Sequence, residues 1–96
     1  MTSKQRKLLK SKAHHLRPVV MIGKSEINYS IYKTVDECLK KHELIKIKFN
    51  NYKDTKADVL KKINTAINFE TIGIIGNTAI IFRQNKNADD QIYKIN

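Results

Sequence analysis

Cysteine, acidic residues and long apolar runs are scarce in this sequence, and each scarcity argues against a class of protein. The single cysteine, Cys38, leaves no partner for an intrachain disulfide or a cysteine metal cluster, so we expect a reducing compartment, the cytoplasm. No stretch approaches the roughly 18 apolar residues that a transmembrane helix needs. The basic N-terminus is not followed by an apolar segment, which argues against a secretory signal.

Acidic residues are rarest where basic residues are densest. The chain carries 19 Lys and Arg against 9 Asp and Glu, a formal net charge of +10, and its first acidic residue is Glu26. A surplus of this size indicates an anionic partner, either nucleic acid or an anionic membrane. A solvated surface would mix both signs, so the acid-free segment is predicted to form a polyanion-binding face. Its basic residues are Lys4, Arg6, Lys7, Lys10, Lys12, Arg17 and Lys24.

Side chains that support catalysis or bind metal ions form no convincing group. His14 and His15 are adjacent, so on a helix they point about 100° apart and cannot bind one metal ion together. His42 falls at a predicted helix end, where capping accounts for it. Cys38 lies on an apolar helical stripe, where a small buried hydrophobe is the expected role. We therefore predict no catalytic residues, no cofactor, no metal site and no small-molecule substrate.

The first helix is predicted from Thr2 to His15. Thr2 and Gln5 have the spacing of a capping box, and Arg17-Pro18 would end the helix because proline cannot continue it. Its narrow apolar stripe consists of Leu8, Leu9, Ala13 and Leu16.

Two further helices are predicted from apolar residues spaced three and four apart. The second spans 27–41 with Ser25 as a plausible N-cap, and the third begins after a cap at Asp54 or Thr55. The stripe of the second helix is Ile27, Ile31, Val35, Cys38 and Leu39, and that of the third is Ala57, Leu60, Ile63 and Ile67.

Four strands complete the predicted order α-β-α-β-α-β-β. Residues 19–22 are apolar on both faces, which is typical of a central strand. Residues 43–50 alternate, which predicts a half-exposed strand with Lys46 and Lys48 on a basic outer face.

The last two strands form a predicted hairpin around Gly76-Asn77, a dipeptide suited to a primed turn. Its core face would pair Ile74 with Ala79 and Ile72 with Ile81, and the outermost pair would be Glu70 with Arg83. The opposite face would pair Ile75 with Thr78, Gly73 with Ile80 and Thr71 with Phe82. It would leave Ile80 and Phe82 beside an opening at Gly73, and core packing is the favoured role of Phe82.

This order predicts an α/β (α+β) domain with a four-stranded mixed sheet packed with helices. We expect one domain over residues 1–84 with a single modest core, followed by a polar tail over residues 85–96. In that tail, residues 92–95 are sufficiently apolar to dock against the domain.

A glycine turn joins the first predicted strand to the second helix. Gly23 permits a close backbone approach, Lys24 supplies a cation, and the helix start at Ser25 presents backbone N–H groups to an anion. Glu26 opposes this use, because its carboxylate competes with phosphate for the same donors. The turn reads equally as a plain strand-to-helix connection.

Three ordered blocks resemble one known family. KAHHLRPVVMIGK (residues 12–24), HELIKIK (42–48) and IGNTAIIFR (75–83) look like the CRM domain (chloroplast RNA splicing and ribosome maturation), in its stand-alone bacterial YhbY type. The resemblance covers nearly the whole chain except the tail. It implies a fold similar to the C-terminal domain of translation initiation factor three. It also implies RNA binding without catalysis, in assembly of the large ribosomal subunit.

The resemblance also assigns site residues. The family's G-x-x-G loop, likened to the backbone clamp of KH domains, maps onto Gly23, Lys24 and Ser25, whereas its fourth position is Glu26. We therefore expect the first-helix basic residues to supply more of the affinity: Lys4, Arg6, Lys7, Lys10, Lys12 and Arg17.

The expected partner is RNA, ribosomal RNA or the precursor of the large subunit, bound by a monomer in the cytoplasm and without a membrane. One alternative is a protein-interaction module that binds an acidic partner, or binds the ribosome through a protein. Binding to a membrane surface is a weaker alternative, because the first helix has no Trp or Phe to insert.

Overall fold

A four-stranded sheet carries helices on both of its faces in the computed structural model, which describes residues 1–23, 29–50 and 56–95. The predicted α+β class and element order are confirmed. The elements are α1 (Ser3–Ala13), β1 (Val20–Ile22), α2 (Tyr29–His42), β2 (Leu44–Phe49), α3 (Lys56–Ile67), β3 (Glu70–Ile75), β4 (Thr78–Phe82) and a short 3-10 turn (Ala88–Asp90). The predicted caps Ser25, Asp54 and Thr55 lie outside the described residues.

The strand order is β1-β2-β4-β3, with β1 parallel to β2 and β4 antiparallel to both β2 and β3. The two strand–helix–strand units therefore join parallel strands, as predicted. The central position predicted for β1 is wrong, because β1 lies at the edge of the sheet. Val20 and Ile22 are buried, but Val19 and Met21 are 49% and 61% exposed. The second apolar face of this segment is thus a surface and not a core.

Helices α2 and α3 cover one face of the sheet and enclose the larger of two cores. The α2 stripe predicted at Ile31, Val35, Cys38 and Leu39 packs against this core, and the α3 residues Leu60 and Ile63 are buried in it. The alternation of β2 is also confirmed. Ile45, Ile47 and Phe49 are buried here, while Lys46 and Lys48 lie on the other side.

Helix α1 covers part of the opposite face, so the prediction of a single core is wrong. Leu9 and Ala13 pack with Leu44, Ile80 and Phe82 in a second cluster. The predicted core role of Phe82 is confirmed, since its side chain is 2% exposed.

The start of α1 matches the prediction from the sequence, whereas its end comes earlier than predicted. Thr2 and Gln5 form the predicted capping box, with Gln5 N donating to Thr2 Oγ1 at 3.1 Å and Thr2 N donating to Gln5 Oε1 at 2.8 Å. The helix ends at Ala13, two residues before the predicted end at His15. Pro18 therefore comes too late to be the direct terminator.

The β3–β4 hairpin confirms the predicted turn but only part of the predicted pairing. Gly76 has φ +57, which fits a type II′ turn, and Ile74 pairs with Ala79 as predicted. A register shift between Thr71 and Gly73 then pairs Thr71 with Ile81. Because one extra residue enters β3, Ile72 packs in the second core and does not face Ile81. The pairs predicted beyond Gly73 are wrong for this reason.

The C-terminal segment is held by a buried acidic residue, Glu43. Glu43 lies between α2 and β2 with φ +63 and is fully buried. Its Oε2 accepts the backbone N–H of Asn85 at 2.6 Å, and its Oε1 accepts those of Ile92 and Tyr93 at 2.7 and 2.9 Å. Tyr93 and Ile95 then pack against the second core. The tail thus lies beside α1.

Candidate nucleic-acid interface

The basic residues of α1 point to three different surroundings. Arg6 reaches β3, where its Nη1 donates to the carbonyl of Thr71 and its Nη2 lies 3.7 Å from Glu70 Oε2. Lys12 borders a shallow pocket beside the C-terminal residues 92–95. Lys10 instead faces the uncovered part of the sheet. The predicted residues therefore do not form one uniform patch.

The remaining predicted site residues comprise an exposed set, a half-buried glycine and a set outside the described residues. Lys4 and Lys7 on α1 and Arg17 after it are exposed to solvent. Gly23 directly follows β1 and is half-buried. Lys24 and Ser25 lie outside the described residues, and so does Glu26.

A groove separates the C-terminal half of α1 from the sheet. It has a volume of about 250 Å³, below the ~300–1,000 Å³ typical of small-molecule sites. Lys10 of α1 and the C-cap residue His14 border it on one side, and Lys46 of β2 borders it on the other. The rest of its lining is Pro18, Ile75, Thr78 and Ile80. Two lysines from distant parts of the sequence thus flank one groove.

Gly73 gives Lys10 its place in this groove. A Cβ atom added at Gly73 would lie 2.9 Å from Lys10 Cε and 3.5 Å from Lys10 Nζ. The absent side chain lets the lysine stem lie flat over β3. This is the opening that the sequence predicts at Gly73, and Lys10 fills it.

Beyond the groove the sheet has an uncovered surface, which we call the open face. Register places Met21, Lys48, Thr78 and Ile75 side by side across the four strands. The next row contains Val19, whose N–H donates to the carbonyl of Lys46 at 3.0 Å. The open face is Val19, Met21, Lys46, Lys48, Ile75 and Thr78. None of these six residues is acidic.

Lys46 and Lys48 are not among the site residues predicted from the sequence. The alternation of β2 identifies both lysines as outward-facing, so a signal was present. Their proximity to Lys10 depends on where α1 packs, which no local pattern reveals.

A second polar centre lies on the other face of the sheet and has a structural role. Arg83 Nη1 donates to Asp36 Oδ1 at 2.8 Å and to the carbonyl of Ile67 at 2.9 Å, while Lys40 Nζ lies 3.2 Å from Asp36 Oδ2. Burial raises the pKa of Asp36, but the hydrogen bonds from Arg83 and Lys40 outweigh it, so the net pKa is lowered. The network ties β4 to α2 and α3.

Two other features of the described residues are poorer candidates for a site. A larger cleft of about 560 Å³ lies near the start of α1, but its charged side chains, Glu70 and Arg83, are both ion-paired. Burial raises the pKa of the Cys38 thiol, which disfavours the reactive thiolate. Within the described ranges, no group of three metal-ligating side chains occurs, and no helix is long and apolar enough to cross a membrane.

Comparison with known proteins identifies the family. The family model described as the CRS1 / YhbY (CRM) domain matches residues 1–83. The chain belongs to the CRM domain family. The sequence resemblance is thereby confirmed, and the matched range includes α1, the groove and the open face.

Similar proteins come from several bacteria. YqeI of Bacillus subtilis, named a probable RNA-binding protein, is 34% identical over 87 residues, which cover 90% of this chain and 91% of YqeI. An RNA-binding protein of Haemophilus influenzae is 30% identical over 93 residues, or 96% of this chain and 94% of that protein. The solution structure of a candidate RNA-binding protein from Staphylococcus aureus matches with a TM-score of 0.78 and 33% identity, covering 95% and 96% of the two chains.

Proposed function

We propose that this chain is a non-catalytic RNA-binding protein that binds ribosomal RNA during assembly of the large ribosomal subunit. The observation that carries the proposal is the acid-free α1, which places Lys10 opposite Lys46 across a groove. The names of its relatives support RNA as the ligand. The resemblance to the stand-alone YhbY type motivates the ribosomal target.

The proposed contacts are mainly to phosphates. Lys4, Lys7, Lys10, Lys12, Arg17 and Lys24 supply the charge, and Gly23 and Ser25 supply backbone donors. Arg6 makes a smaller contribution than the sequence predicts, because its guanidinium already contacts Thr71 and Glu70. The protein acts as a cytoplasmic monomer. RNA binding belongs to residues 1–84, and Tyr93 and Ile95 of the tail pack against the second core beside α1.

Salt dependence tests the electrostatic part. About five phosphate contacts on single-stranded RNA give a log–log slope of affinity against salt of about −3.5. The measurement is fluorescence anisotropy with a labelled ribosomal RNA fragment over a range of KCl concentrations. A slope near zero would contradict phosphate binding.

Crosslinking in cells, followed by sequencing of the bound RNA, tests the target. We expect crosslinks concentrated in large-subunit ribosomal RNA. Crosslinks spread over unrelated transcripts would overturn the ribosomal assignment and leave RNA binding intact. Sedimentation with ribosomes without any RNA crosslink would favour the protein-interaction alternative.

A further inference from the structure

The open face is an uncovered part of the sheet on which exposed apolar residues and lysines lie together. Met21 and Ile75 are 61% and 67% exposed, and both lie in the row that crosses all four strands. Helix α1 packs on Leu44, Ile72 and Phe82, at the other end of this side of the sheet. Met21 and Ile75 lie at opposite edges of the sheet with Lys48 and Thr78 between them, so the open face presents exposed apolar groups on either side of a basic centre.

The charges on this surface restrict what it can bind. Lys46 and Lys48 lie on β2, between the apolar residues of β1 on one side and of β3 on the other. The Cα atoms of the two lysines are roughly 7 Å apart along the strand. Lys10 and His14 border the same surface from α1. An apolar protein partner would have to bury two ammonium groups without compensation, at a high free-energy cost. A polyanion carries the compensating charge.

The mixture of apolar and basic residues distinguishes between forms of RNA. In a duplex the bases are stacked on one another, so a flat protein surface reaches little beyond phosphate and sugar. In a single strand the bases splay out and their flat faces can lie on apolar side chains while lysines contact the phosphates. Met21 and Val19 offer such apolar contacts directly beside Lys48 and Lys46 on the neighbouring strand, and Ile75 offers another two strands away, across Thr78.

We propose that the open face binds an unpaired RNA segment, with bases against Met21 and Ile75 and phosphates against Lys46 and Lys48. This inference rests on the proposed RNA-binding function and deepens it. The RNA strand continues through the groove between α1 and the sheet, where Lys10 contacts its next phosphate. The protein thus distinguishes unpaired from paired RNA through apolar and charged contacts on its sheet, and not through hydrogen bonds to base edges.

The charge test compares two double variants with the same loss of charge. Lys46→Ala/Lys48→Ala removes the open-face lysines, and Lys61→Ala/Lys62→Ala removes two exposed lysines of α3, on the other side of the sheet. The probe is a labelled 12-nucleotide oligouridylate, titrated by anisotropy over a range of KCl concentrations. We expect the open-face variant to lose about 1.4 from the magnitude of the salt slope, since each lost phosphate contact accounts for about 0.7. The α3 variant should keep the wild-type slope.

The apolar test uses neighbouring residues of β3. Ile75 faces the open face and Ile74 faces the opposite side, paired with Ala79. We expect Ile75→Ser to weaken oligouridylate binding roughly fivefold, through lost apolar contact with bases, and Ile74→Ser to leave it within twofold. Thermal unfolding of each variant shows that folded protein is being compared.

A 12-base-pair RNA duplex separates this inference from the proposed function. We expect Ile75→Ser to leave duplex affinity unchanged. If the open-face variants bind oligouridylate like the wild type while the wild type still binds RNA, the open face is not the site and the proposed function stands. If they lose oligouridylate and duplex equally, the surface is a phosphate site without preference for unpaired RNA, which overturns the inference. If the wild type binds neither RNA, the proposed function itself is wrong.

Discussion

Glu43 holds Tyr93 across fifty residues of sequence: its Oε1 accepts the backbone N–H of Tyr93 at 2.9 Å. The same carboxylate also accepts the N–H groups of Asn85 and Ile92. Three donors satisfy a fully buried acid, so Glu43 fixes the C-terminal segment against the second core. The position of Tyr93 beside Phe82, with ring centroids 6.3 Å apart, follows from this anchor.

Replacing Glu43 tests the anchor. Glu43→Gln retains the shape of the side chain but turns one acceptor oxygen into an NH₂ group that faces a backbone N–H. We expect the free energy of unfolding to fall by about 1–3 kcal/mol, the cost of an unsatisfied buried donor. Urea denaturation measures it. Glu37→Gln, at an exposed position of α2, is the control and should change stability by less than about 0.5 kcal/mol. Equal stability of the two variants would contradict the anchoring role.

The lowered pKa of Asp36 predicts that the folded protein loses stability at acidic pH. Its pKa is lower in the folded state than in the unfolded chain, so it stabilises the fold above the unfolded pKa of ~3.9. This contribution is lost as pH falls through the folded pKa. We expect Asp36→Asn to lower the melting temperature at pH 7 and to flatten its decline between about pH 5 and pH 3. Thermal unfolding across that range measures it, and an unchanged acid decline would refute the assignment.

Lys24 tests the glycine loop predicted from the sequence. Lys24→Glu reverses one charge next to Gly23, so we expect weaker RNA binding and a smaller salt slope. The melting temperature should fall by no more than about a degree, as for a surface substitution. Anisotropy titration and thermal unfolding provide the two measurements. Undiminished affinity would show that the loop does not contact RNA.

Gly73 tests the groove without removing a charge. In Gly73→Ala the new Cβ would meet only the far end of the Lys10 side chain, which can move aside. We expect stability to be unchanged or to rise by up to about 1 kcal/mol, because alanine restricts the unfolded chain. Oligouridylate affinity should fall as Lys10 Nζ leaves the groove.

Gly76→Ala provides the contrast to this variant. Its φ of +57 disfavours any residue with a Cβ, so we expect a loss of about 1–2 kcal/mol. Lys10 does not contact this position, so RNA affinity should be retained in the folded variant. If Gly73→Ala instead proves the more destabilising of the two, the close approach of Lys10 is not readily relieved.

Local patterns predicted the elements well, because the physics of each element is local. The capping box at Thr2 and Gln5 and the stripe of α2 depend on spacing within one helix, and the structure contains both. The alternation of β2 likewise predicted that Ile45 and Ile47 face the core and that the lysines face outward. The turn at Gly76 was predictable because glycine tolerates positive φ.

Non-local relationships were predicted poorly. The apolar segment that becomes β1 is compatible with a central or an edge strand, and only the strand order decides between them. Gly73 inside β3 is a local signal for a bulge, but it does not reveal which residue is extra, and the register shift at Thr71–Gly73 moves Ile72 into the second core. The buried role of Glu43 was equally invisible, since its partners lie more than forty residues away.

By itself the sequence determined the order of helices and strands, the acid-free basic first helix and membership of the CRM family. Each of these depends on residue types and short spacings. The tertiary structure alone decided that Lys10 lies across a groove from Lys46, that Arg6 contacts β3, and that part of one sheet face remains uncovered. The physical reason is that these relationships arise from how α1 packs across strands far apart in the chain, which strand order and register govern.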